Sequence, residues 1–456
     1  LPFFRPEPNS AEARYLSERR TALGGFVPQR RAQSFSVPTP SLDTLKAILD
    51  GSGDREISTT MAFVRILAQL VKDKEIGPRI VPIIPDEART FGMEGMFRQL
   101  GIYSSVGQLY EPVDKDQVMF YKEDKKGQIL EEGINEAGAM SSFIAAGTSY
   151  SNHNQPMLPF YIFYSMFGFQ RIGDLAWAAG DSRTRGFLIG GTAGRTTLNG
   201  EGLQHEDGHS LILANLVPNC ISYDPTFQYE VAVVAQDGMR RMFQEQEDVF
   251  YYLTVMNENY EHPEMPVGAE ADIIKGMYQF RKGAVADGKK AAPRVQLLGS
   301  GTIFREVIAA ADLLKQDWGV DADIWGCPSF NELARDGNDV MRWNMLNPTA
   351  KQRLSHVENC LNDTRGPVVA ATDYIRLFSE QIRPLINRRY VTLGTDGFGR
   401  SDTREKLRHF FEVDRHWVTL AALKALADDG AIDRSKVAEA ILKYGIDVNK
   451  PNPMSV

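Results

Sequence analysis

Residues 156–191 read PMLPFYIFYSMFGFQRIGDLAWAAGDSRTRGFLIGG, two apolar segments separated by a helical one. The run PMLPFYIFYSMF predicts a buried aromatic strand, RIGDLAWAAGD predicts the helix that follows it, and FLIGG predicts a second strand. A parallel pair of strands needs a crossover connection, and a helix of this length provides one. We therefore expect the two strands to run parallel in one sheet. The stretch therefore indicates an α/β fold in which helices cover the sheet.

The same alternation extends in both directions from this stretch. Upstream, Ser58 offers an N-cap for a helix in MAFVRILAQLV (61–71), and IVPII (80–84) is a short apolar strand. Downstream, a glycine-rich loop at 194–208 leads into further strands and helices. We predict a mostly parallel sheet with helices on both faces.

Two polar stretches interrupt this pattern. Residues 1–40 are rich in proline and arginine, which predicts a linker or arm. The segment NENYEHPEMPVGAE (257–270) is polar and carries two prolines, which marks a boundary, and a second strand–helix unit begins after it at RVQLLG (294–299). The chain is therefore expected to contain two α/β units.

Composition narrows the classes of function. Among 456 residues, 51 Lys+Arg against 59 Asp+Glu give a net charge of −8, which argues against nucleic acid or an anionic membrane as the main partner. The apolar stretch at 156–168 is shorter than the roughly 20 residues that a membrane span needs. Three dispersed cysteines, Cys220, Cys327 and Cys360, favour a reducing cytoplasm over a disulfide framework or a Cys-based zinc site.

The segment His205-Glu-Asp-Gly-His209 fits the H-E-x-x-H pattern of zinc proteases. That chemistry needs both histidines on one face of a regular helix. Gly208 lies inside the motif and a glycine-rich loop runs directly into it, which favours a loop. Three interpretations stay open at this point: a zinc hydrolase site at His205 and His209, a histidine in a loop-built active site, and structural polar residues.

Two carboxylates are candidates for acid–base chemistry. Glu87 follows the strand at 80–84, at the carboxyl edge where α/β sheets place ligands. Glu136 opens a helix rich in Gly, Ala and Ser, after the apolar Ile134, although glutamate is also common at helix starts as a partner of the helix dipole. Spacing alone does not pair the two.

Several longer segments carry a family resemblance when they are taken together. The segments are PDEARTFGMEGMFRQLGIYS (85–104), EEGINEAGAM (131–140), the stretch from PFYIFY to EDGHS (159–210), NCISYDPTFQYEVAV (219–233) and GTDGFGRSDTREKLRHFFEVD (394–414). They resemble the homodimeric bacterial pyruvate dehydrogenase first component, a thiamin-diphosphate-dependent decarboxylase. The resemblance implies an α/β fold with two doubly wound domains, a pyrimidine-binding thiamin-diphosphate domain at 41–265 and a transketolase C-terminal-like domain at 266–456.

One feature of such enzymes is missing from the sequence. A Gly-Asp-Gly motif and a following Asn-Asn pair hold the diphosphate and Mg²⁺ in thiamin-diphosphate enzymes, and the chain contains neither. We therefore expect the chain to be the C-terminal half of the enzyme. The ligands of the diphosphate and of Mg²⁺ are then expected in an N-terminal domain outside this sequence.

The resemblance also implies which residues hold the cofactor. Glu136, in Gly-Ile-Asn-Glu, would share a proton with the aminopyrimidine ring of thiamin diphosphate. Ile134 would be the apolar wedge that holds the cofactor in a bent conformation. Phe167 would stack on the pyrimidine.

Further polar residues are implied to act on the substrate. Tyr164 and His205 would face the reacting pyruvate. The segment 205–209 would then belong to an active-site loop and not to a zinc site. Glu87, with Asp86 beside it, would complete the acid–base network. His209 stays open between a structural and a site role.

The resemblance implies partners as well. Pyruvate would be the substrate, the enzyme a homodimer, and the lipoyl domain of the dihydrolipoyl acetyltransferase core the acceptor of the two-carbon unit. Residues 106–122 are expected to order over the site or to meet the lipoyl domain. The role of the segment TDGFGRSDTRE (395–405) stays open, and its simplest interpretation is a mobile or structural interdomain turn tied by Asp402 and Arg404. The alternative is that the chain by itself is a catalytically inert assembly fragment.

Overall fold

The computed structural model describes residues 4–25, 30–85, 88–284 and 292–456. Its strands, in chain order, are β1 (Ile80–Ile84), β2 (Ile102–Tyr103), β3 (Glu123–Asp124), β4 (Leu130–Glu131), β5 (Leu158–Tyr164), β6 (Phe187–Gly191), β7 (Cys220–Tyr223), β8 (Phe250–Thr254), β9 (Tyr278–Arg281), β10 (Arg294–Gly299), β11 (Asp321–Gly326), β12 (Val368–Ala371) and β13 (Tyr390–Leu393). Its α-helices are α1 (Ala11–Ala22), α2 (Lys46–Leu49), α3 (Thr59–Leu70), α4 (Glu94–Leu100), α5 (Glu136–Gly147), α6 (Ser149–His153), α7 (Ser165–Asp181), α8 (Ser210–Asn215), α9 (Gln228–Met239), α10 (Glu270–Lys275), α11 (Ile303–Trp318), α12 (Phe330–Leu346), α13 (His356–Leu361), α14 (Leu377–Glu380), α15 (Arg404–Phe410), α16 (Arg415–Asp428) and α17 (Ser435–Lys443).

Two large sheets organise these elements, and β2 and β3 form a separate two-stranded parallel pair. The first has the order β4-β1-β5-β6-β8-β7, and all of its strand pairs are parallel. The second has the order β13-β12-β10-β11-β9 and is parallel except for β9, which runs antiparallel to β11. The predicted α/β fold with two doubly wound units is confirmed, and the antiparallel edge strand is the part that the sequence analysis missed.

Both faces of the first sheet are buried, as the side chains of β5 show. Along β5, Phe160 and Ile162 belong to one hydrophobic cluster, while Tyr161 and Phe163 belong to another. Because successive side chains of a strand point to opposite faces, each cluster marks one covered face. The uninterrupted apolar sequence of β5 is the expected composition of such a strand.

The strand β5 ends earlier than the sequence analysis predicted. It stops at Tyr164, and α7 begins at Ser165, so the run SMFGF is the first part of the helix and not the end of a strand. A short apolar run fits a strand or a buried helix equally well, which explains the error. The correction matters because it places Phe167 on the first turn of a helix.

The predicted arm contains a helix of its own. None of the residues of α1 is buried. Residues after it lie along the first sheet's domain, where Arg31 N donates to Ser151 O at 3.1 Å and Val37 N donates to Phe243 O at 3.0 Å. Ser58 caps α3 as predicted, since its side chain accepts a hydrogen bond from Met61 N. In the described part of the chain no helix is both long and apolar enough to span a bilayer.

The carboxyl ends of strands from both sheets meet at a polar interface. Asp224, directly after β7, accepts hydrogen bonds from Ser300 Oγ, which follows β10, and from Thr254 Oγ1 at the end of β8, both at 2.7 Å. Asp373, two residues after β12, accepts a hydrogen bond from Thr196 N at 3.1 Å. This interface places loops of the second sheet beside the loops that follow the first.

Candidate active site

A cavity of about 210 Å³ opens where β1 and β5 end and where α5 and α7 begin. Helices and loops at this edge supply both aromatic and charged side chains to its walls. The lining residues are Pro85, Gly133, Ile134, Asn135, Glu136, Ala139, Tyr161, Phe163, Tyr164, Phe167, Arg171 and His205.

Five of the residues singled out from the sequence therefore share one cavity: Ile134, Glu136, Tyr164, Phe167 and His205. They come from three separate parts of the chain, and the sheet brings them together. The other two, Asp86 and Glu87, lie outside the described residues, so their predicted role stays a prediction.

The carboxylate of Glu136 lies at the start of α5. Asn135 caps this helix, with its side-chain oxygen accepting from Gly138 N at 3.0 Å. The Glu136 side chain is 20% exposed and forms an ion pair with the guanidinium of Arg171. Ile134, two residues earlier, is 70% exposed, so an apolar side chain stands open at the cavity.

Arg171 is a residue that the sequence analysis did not anticipate. Its guanidinium lies 4.4 Å from the centroid of the Phe167 ring and at the same time reaches Glu136. Phe167 and Arg171 are four positions apart on α7, which is the spacing of neighbours on one helix face. Because the predicted helix started only at Arg171, this spacing was not recognised as a helical pair.

An aromatic wall completes the cavity. The rings of Tyr164 and His205 are 5.5 Å apart between centroids, and those of Phe167 and His205 are 5.0 Å apart, both edge to face. Phe91 packs behind Tyr164 at 5.4 Å. His205 Nδ1 is buried and has no hydrogen-bond partner among the residues that the structure describes. The residue lines the cavity, and this buried ring nitrogen is one of its polar groups that the described part of the chain leaves without a partner.

The acid next to His205 is also in an unusual environment. Glu206 is fully buried, and burial raises the pKa of its carboxyl group to about 7. One of its oxygens, Oε2, accepts a hydrogen bond from Arg400 N at 2.8 Å, while Oε1 has no partner within the described ranges. The sequence analysis considered Glu206 only as part of the zinc motif.

The two histidines of that motif do not share a helix. His205 ends a short 3₁₀ turn (Leu203–His205), and His209 precedes α8. The His209 ring lies 3.0 Å from Gln170 Nε2, measured from its own Nε2 atom. Over the described residues, no group of three or more His, Cys, Asp and Glu side chains is placed to hold a metal ion. The geometry that a zinc protease requires is thus not formed here.

Residues 106–122 form an irregular segment beside α4, and among the described residues none of them lines the cavity. Arg89 forms an ion pair with Asp114, and Arg98 donates to Val118 O at 3.3 Å. At the end of this segment, Tyr121 Oη donates to Glu131 at 2.6 Å. The predicted role of this segment over the site stays a prediction.

Comparison with known proteins places the fold and then the family. The transketolase from Campylobacter jejuni has a similar structure, with a TM-score of 0.60 and 15% identity over 85% of this chain and 48% of that chain. This likeness defines the class: the chain has a transketolase-like α/β fold. A family profile described as "Pyruvate dehydrogenase E1 component middle domain" matches residues 36–263, and one described as "Transketolase-like TK C-terminal domain" matches residues 276–414.

Close relatives agree with this assignment. The pyruvate dehydrogenase E1 component of Pseudomonas aeruginosa is 73% identical over 455 residues, and that of Cupriavidus necator is 69% identical over 457 residues. Each alignment covers 100% of this chain but 51% of the relative. The chain therefore spans about half the length of these curated relatives. The chain belongs to the pyruvate dehydrogenase E1 component family, and the resemblance found in the sequence is confirmed.

Proposed function

We propose that the chain supplies the aminopyrimidine side of a thiamin-diphosphate site that decarboxylates pyruvate. The observation that carries the proposal is the cavity in which Glu136, Phe167 and Ile134 stand together with Tyr164 and His205. A carboxylate, a ring face and an exposed apolar side chain suit a flat heterocycle that carries a basic ring nitrogen. Family membership supports the same assignment.

The residues of the chain fit the roles that such a cofactor requires. When bound, thiamin diphosphate supplies a thiazolium carbon that adds to a 2-oxo acid and accepts the electron pair released with carbon dioxide. Glu136 would hold and return a proton at the pyrimidine ring nitrogen, and Phe167 would fix the plane of that ring. Ile134 would occupy the angle between the two rings of the cofactor.

Two polar residues of the aromatic wall, Tyr164 and His205, would act on pyruvate. His205 and Tyr164 face the open volume of the cavity and can donate or accept hydrogen bonds there. Glu87 and Asp86 would add an acid–base pair next to Pro85, which does line the cavity. Ligands of the diphosphate and of Mg²⁺ are proposed to come from a domain outside this sequence.

The proposed place of the enzyme is the pyruvate dehydrogenase complex. The two-carbon unit would pass to the lipoyl group carried by the dihydrolipoyl acetyltransferase core, and the working enzyme would be a homodimer in the cytoplasm. Residues 106–122 are the proposed contact with the lipoyl domain. This part of the proposal rests on family membership.

The test is carbon dioxide release from pyruvate with thiamin diphosphate and Mg²⁺. The chain would be mixed with the remaining half of the Pseudomonas aeruginosa relative, and assembly would be verified by size-exclusion chromatography. We expect activity, and we expect Glu136→Gln to lower kcat by at least 100-fold, within the range typical of acid–base residues, about 10²–10⁴.

A matched control is Glu12→Gln. Glu12 also lies in the first turn of a helix, but it is exposed on α1, so this variant should keep wild-type kcat. An assembled mixture without activity would contradict the decarboxylase proposal and favour an assembly fragment. Equal activity of Glu136→Gln and wild type would remove Glu136 from its proposed role.

A further inference from the structure

The loop that carries His205 is held by the second sheet's domain at both ends and in the middle. We call residues 194–208 the His205 loop and residues 394–404 the clamp segment. At the start of the loop, Arg195 donates from its guanidinium to Thr395 O at 2.7 Å and also to Gly397 O. At its end, Gly208 O accepts from Ile375 N at 2.8 Å.

The middle of the loop is bound in the same way. Gly200 N donates to Asp402 O at 2.9 Å, and Arg404 N donates to Asn199 Oδ1 at 3.1 Å. The Arg404 side chain donates to Thr197 O. Asp402, through its backbone carbonyl, and Arg404 therefore both bind the His205 loop.

The contact nearest to His205 is made by its neighbour. Glu206 Oε2 accepts from Arg400 N of the clamp segment at 2.8 Å, and the Glu206 side chain is fully buried. The His205 ring itself contacts the rings of Tyr164 and Phe167, and its Nδ1 has no partner among the described residues. Its position therefore depends on these two ring contacts and on the backbone of the loop that carries it.

We propose that the clamp segment positions His205 for catalysis, and that Glu206 and Arg195 are the positioning residues through which it acts. The inference rests on the function proposed above, in which His205 faces pyruvate. The cause is mechanical. Hydrogen bonds, buried at Arg195 and partly buried at Glu206, fix the loop backbone, and a displacement of about 1 Å at a reacting group can lower a rate by about 100-fold.

Gly399 offers a way to loosen this contact without altering any polar group. A Cβ added at Gly399 would lie 2.5 Å from Leu203 O and 3.0 Å from Glu206 Cβ. Both distances are too short, and the nearer atom belongs to backbone. Gly399 is not among the glycines with positive φ, so alanine brings no conformational strain of its own. Gly399→Ala should therefore push the two segments apart.

Glu206 offers an independent pair of variants. Glu206→Ala removes the acceptor of the Arg400 N–H, a partly buried hydrogen bond. Glu206→Gln also removes the ionisable group, but its amide oxygen can accept the same hydrogen bond. Rescue by glutamine would therefore separate the role of the hydrogen bond from any role of the charge. Ser401→Ala is the matched control, because Ser401 is an exposed residue of the clamp segment.

The experiment measures hydrogen exchange and kinetics on the same variants. Exchange of the peptide covering 199–209 would be followed in the chain. The kcat and KM for pyruvate and the Kd for thiamin diphosphate would be measured after assembly with the remaining half of the Pseudomonas aeruginosa relative. We expect Gly399→Ala and Glu206→Ala to exchange at least 10-fold faster and to lose at least 10-fold in kcat. The Kd for thiamin diphosphate should change less than two-fold, while Glu206→Gln and Ser401→Ala stay near wild type.

Two results would overturn the inference. One is wild-type exchange and kcat in both Gly399→Ala and Glu206→Ala. The other is a parallel loss of thiamin diphosphate affinity, because that would indicate general damage to the domain. If Gly399→Ala does not fold, the two Glu206 variants decide the question. An inactive wild-type assembly would contradict the proposed function itself, while the exchange measurement would still show whether the clamp segment holds the loop.

Discussion

At the scale of single residues, Arg171 is the residue of the cavity that the sequence analysis did not predict. Its guanidinium makes the two contacts that the family resemblance assigns to the pyrimidine ring, one with the Glu136 carboxylate and one with the face of Phe167. A flat cation at this place would compete with the proposed pyrimidine ring for the same partners. Arg171 is 49% exposed, so the side chain has room to turn away when another group enters.

Removal of this competitor should strengthen cofactor binding. A half-exposed ion pair and one cation–π contact each contribute roughly 0.5–1 kcal/mol, which together correspond to about a five-fold or greater change in Kd. We therefore expect Arg171→Gln to bind thiamin diphosphate about five-fold more tightly in the assembled enzyme, as measured by calorimetric titration. Arg171→Lys keeps the charge and should stay closer to wild type. Weaker binding by Arg171→Gln would show that Arg171 supports Glu136.

At the scale of elements, the junction of β5 and α7 shows what a local sequence pattern can predict and what it cannot. Composition correctly indicated a buried strand within 156–167, but the aromatic run continues without a break into the helix, so the predicted strand was too long. The helix α7 packs closely on β5, where Gly168 lies against the Phe163 ring. A contact between residues on two elements is not visible in the local pattern of either.

This junction gives a paired prediction for stability. A Cβ at Gly168 would lie 2.0 Å from the Phe163 ring, whereas a Cβ at Gly173 of the same helix meets nothing within 4 Å. Overpacking a filled core costs about 1–3 kcal/mol, while alanine in place of an unhindered helical glycine gains up to about 1 kcal/mol. We expect Gly168→Ala to lower the free energy of unfolding and Gly173→Ala to leave it equal or raise it. Urea denaturation of the chain measures both, and similar values for the two variants would contradict this packing.

At the scale of the whole molecule, the two sheets meet through acids that are buried at their carboxyl edges. Burial raises the pKa of Asp373 to about 8 and that of Asp224 to about 6. Between these values and the ordinary pKa near 3.9, the folded chain holds protons that the unfolded chain releases. The free energy of unfolding therefore falls as the pH rises through this window.

The predicted pH dependence is clearest above pH 6.5. Burial lowers the pKa of His262 to about 4, so this residue makes stability rise with pH only below about 6.5, the ordinary histidine pKa. From pH 6.5 to 8, we expect the free energy of unfolding to fall by up to about 1.4 kcal/mol per pH unit for each retained proton. Asp373→Asn should flatten this slope, while the exposed Asp54→Asn should not. Urea denaturation at several pH values is the measurement, and a slope unchanged in Asp373→Asn would assign the effect to another group.

The sequence by itself determined the alternation of strands and helices, the N-cap at Ser58 and the family of the chain, because these depend on local patterns and long motifs. It also singled out Glu136, Ile134, Phe167, Tyr164 and His205, although it could not bring them together from spacing. Only the tertiary structure decided that these five share a cavity, that Arg171 also lines it, and that the clamp segment is hydrogen-bonded to the His205 loop. Those facts depend on contacts between residues up to about 200 positions apart, such as Arg400 with Glu206, and the packing of two sheets creates such contacts.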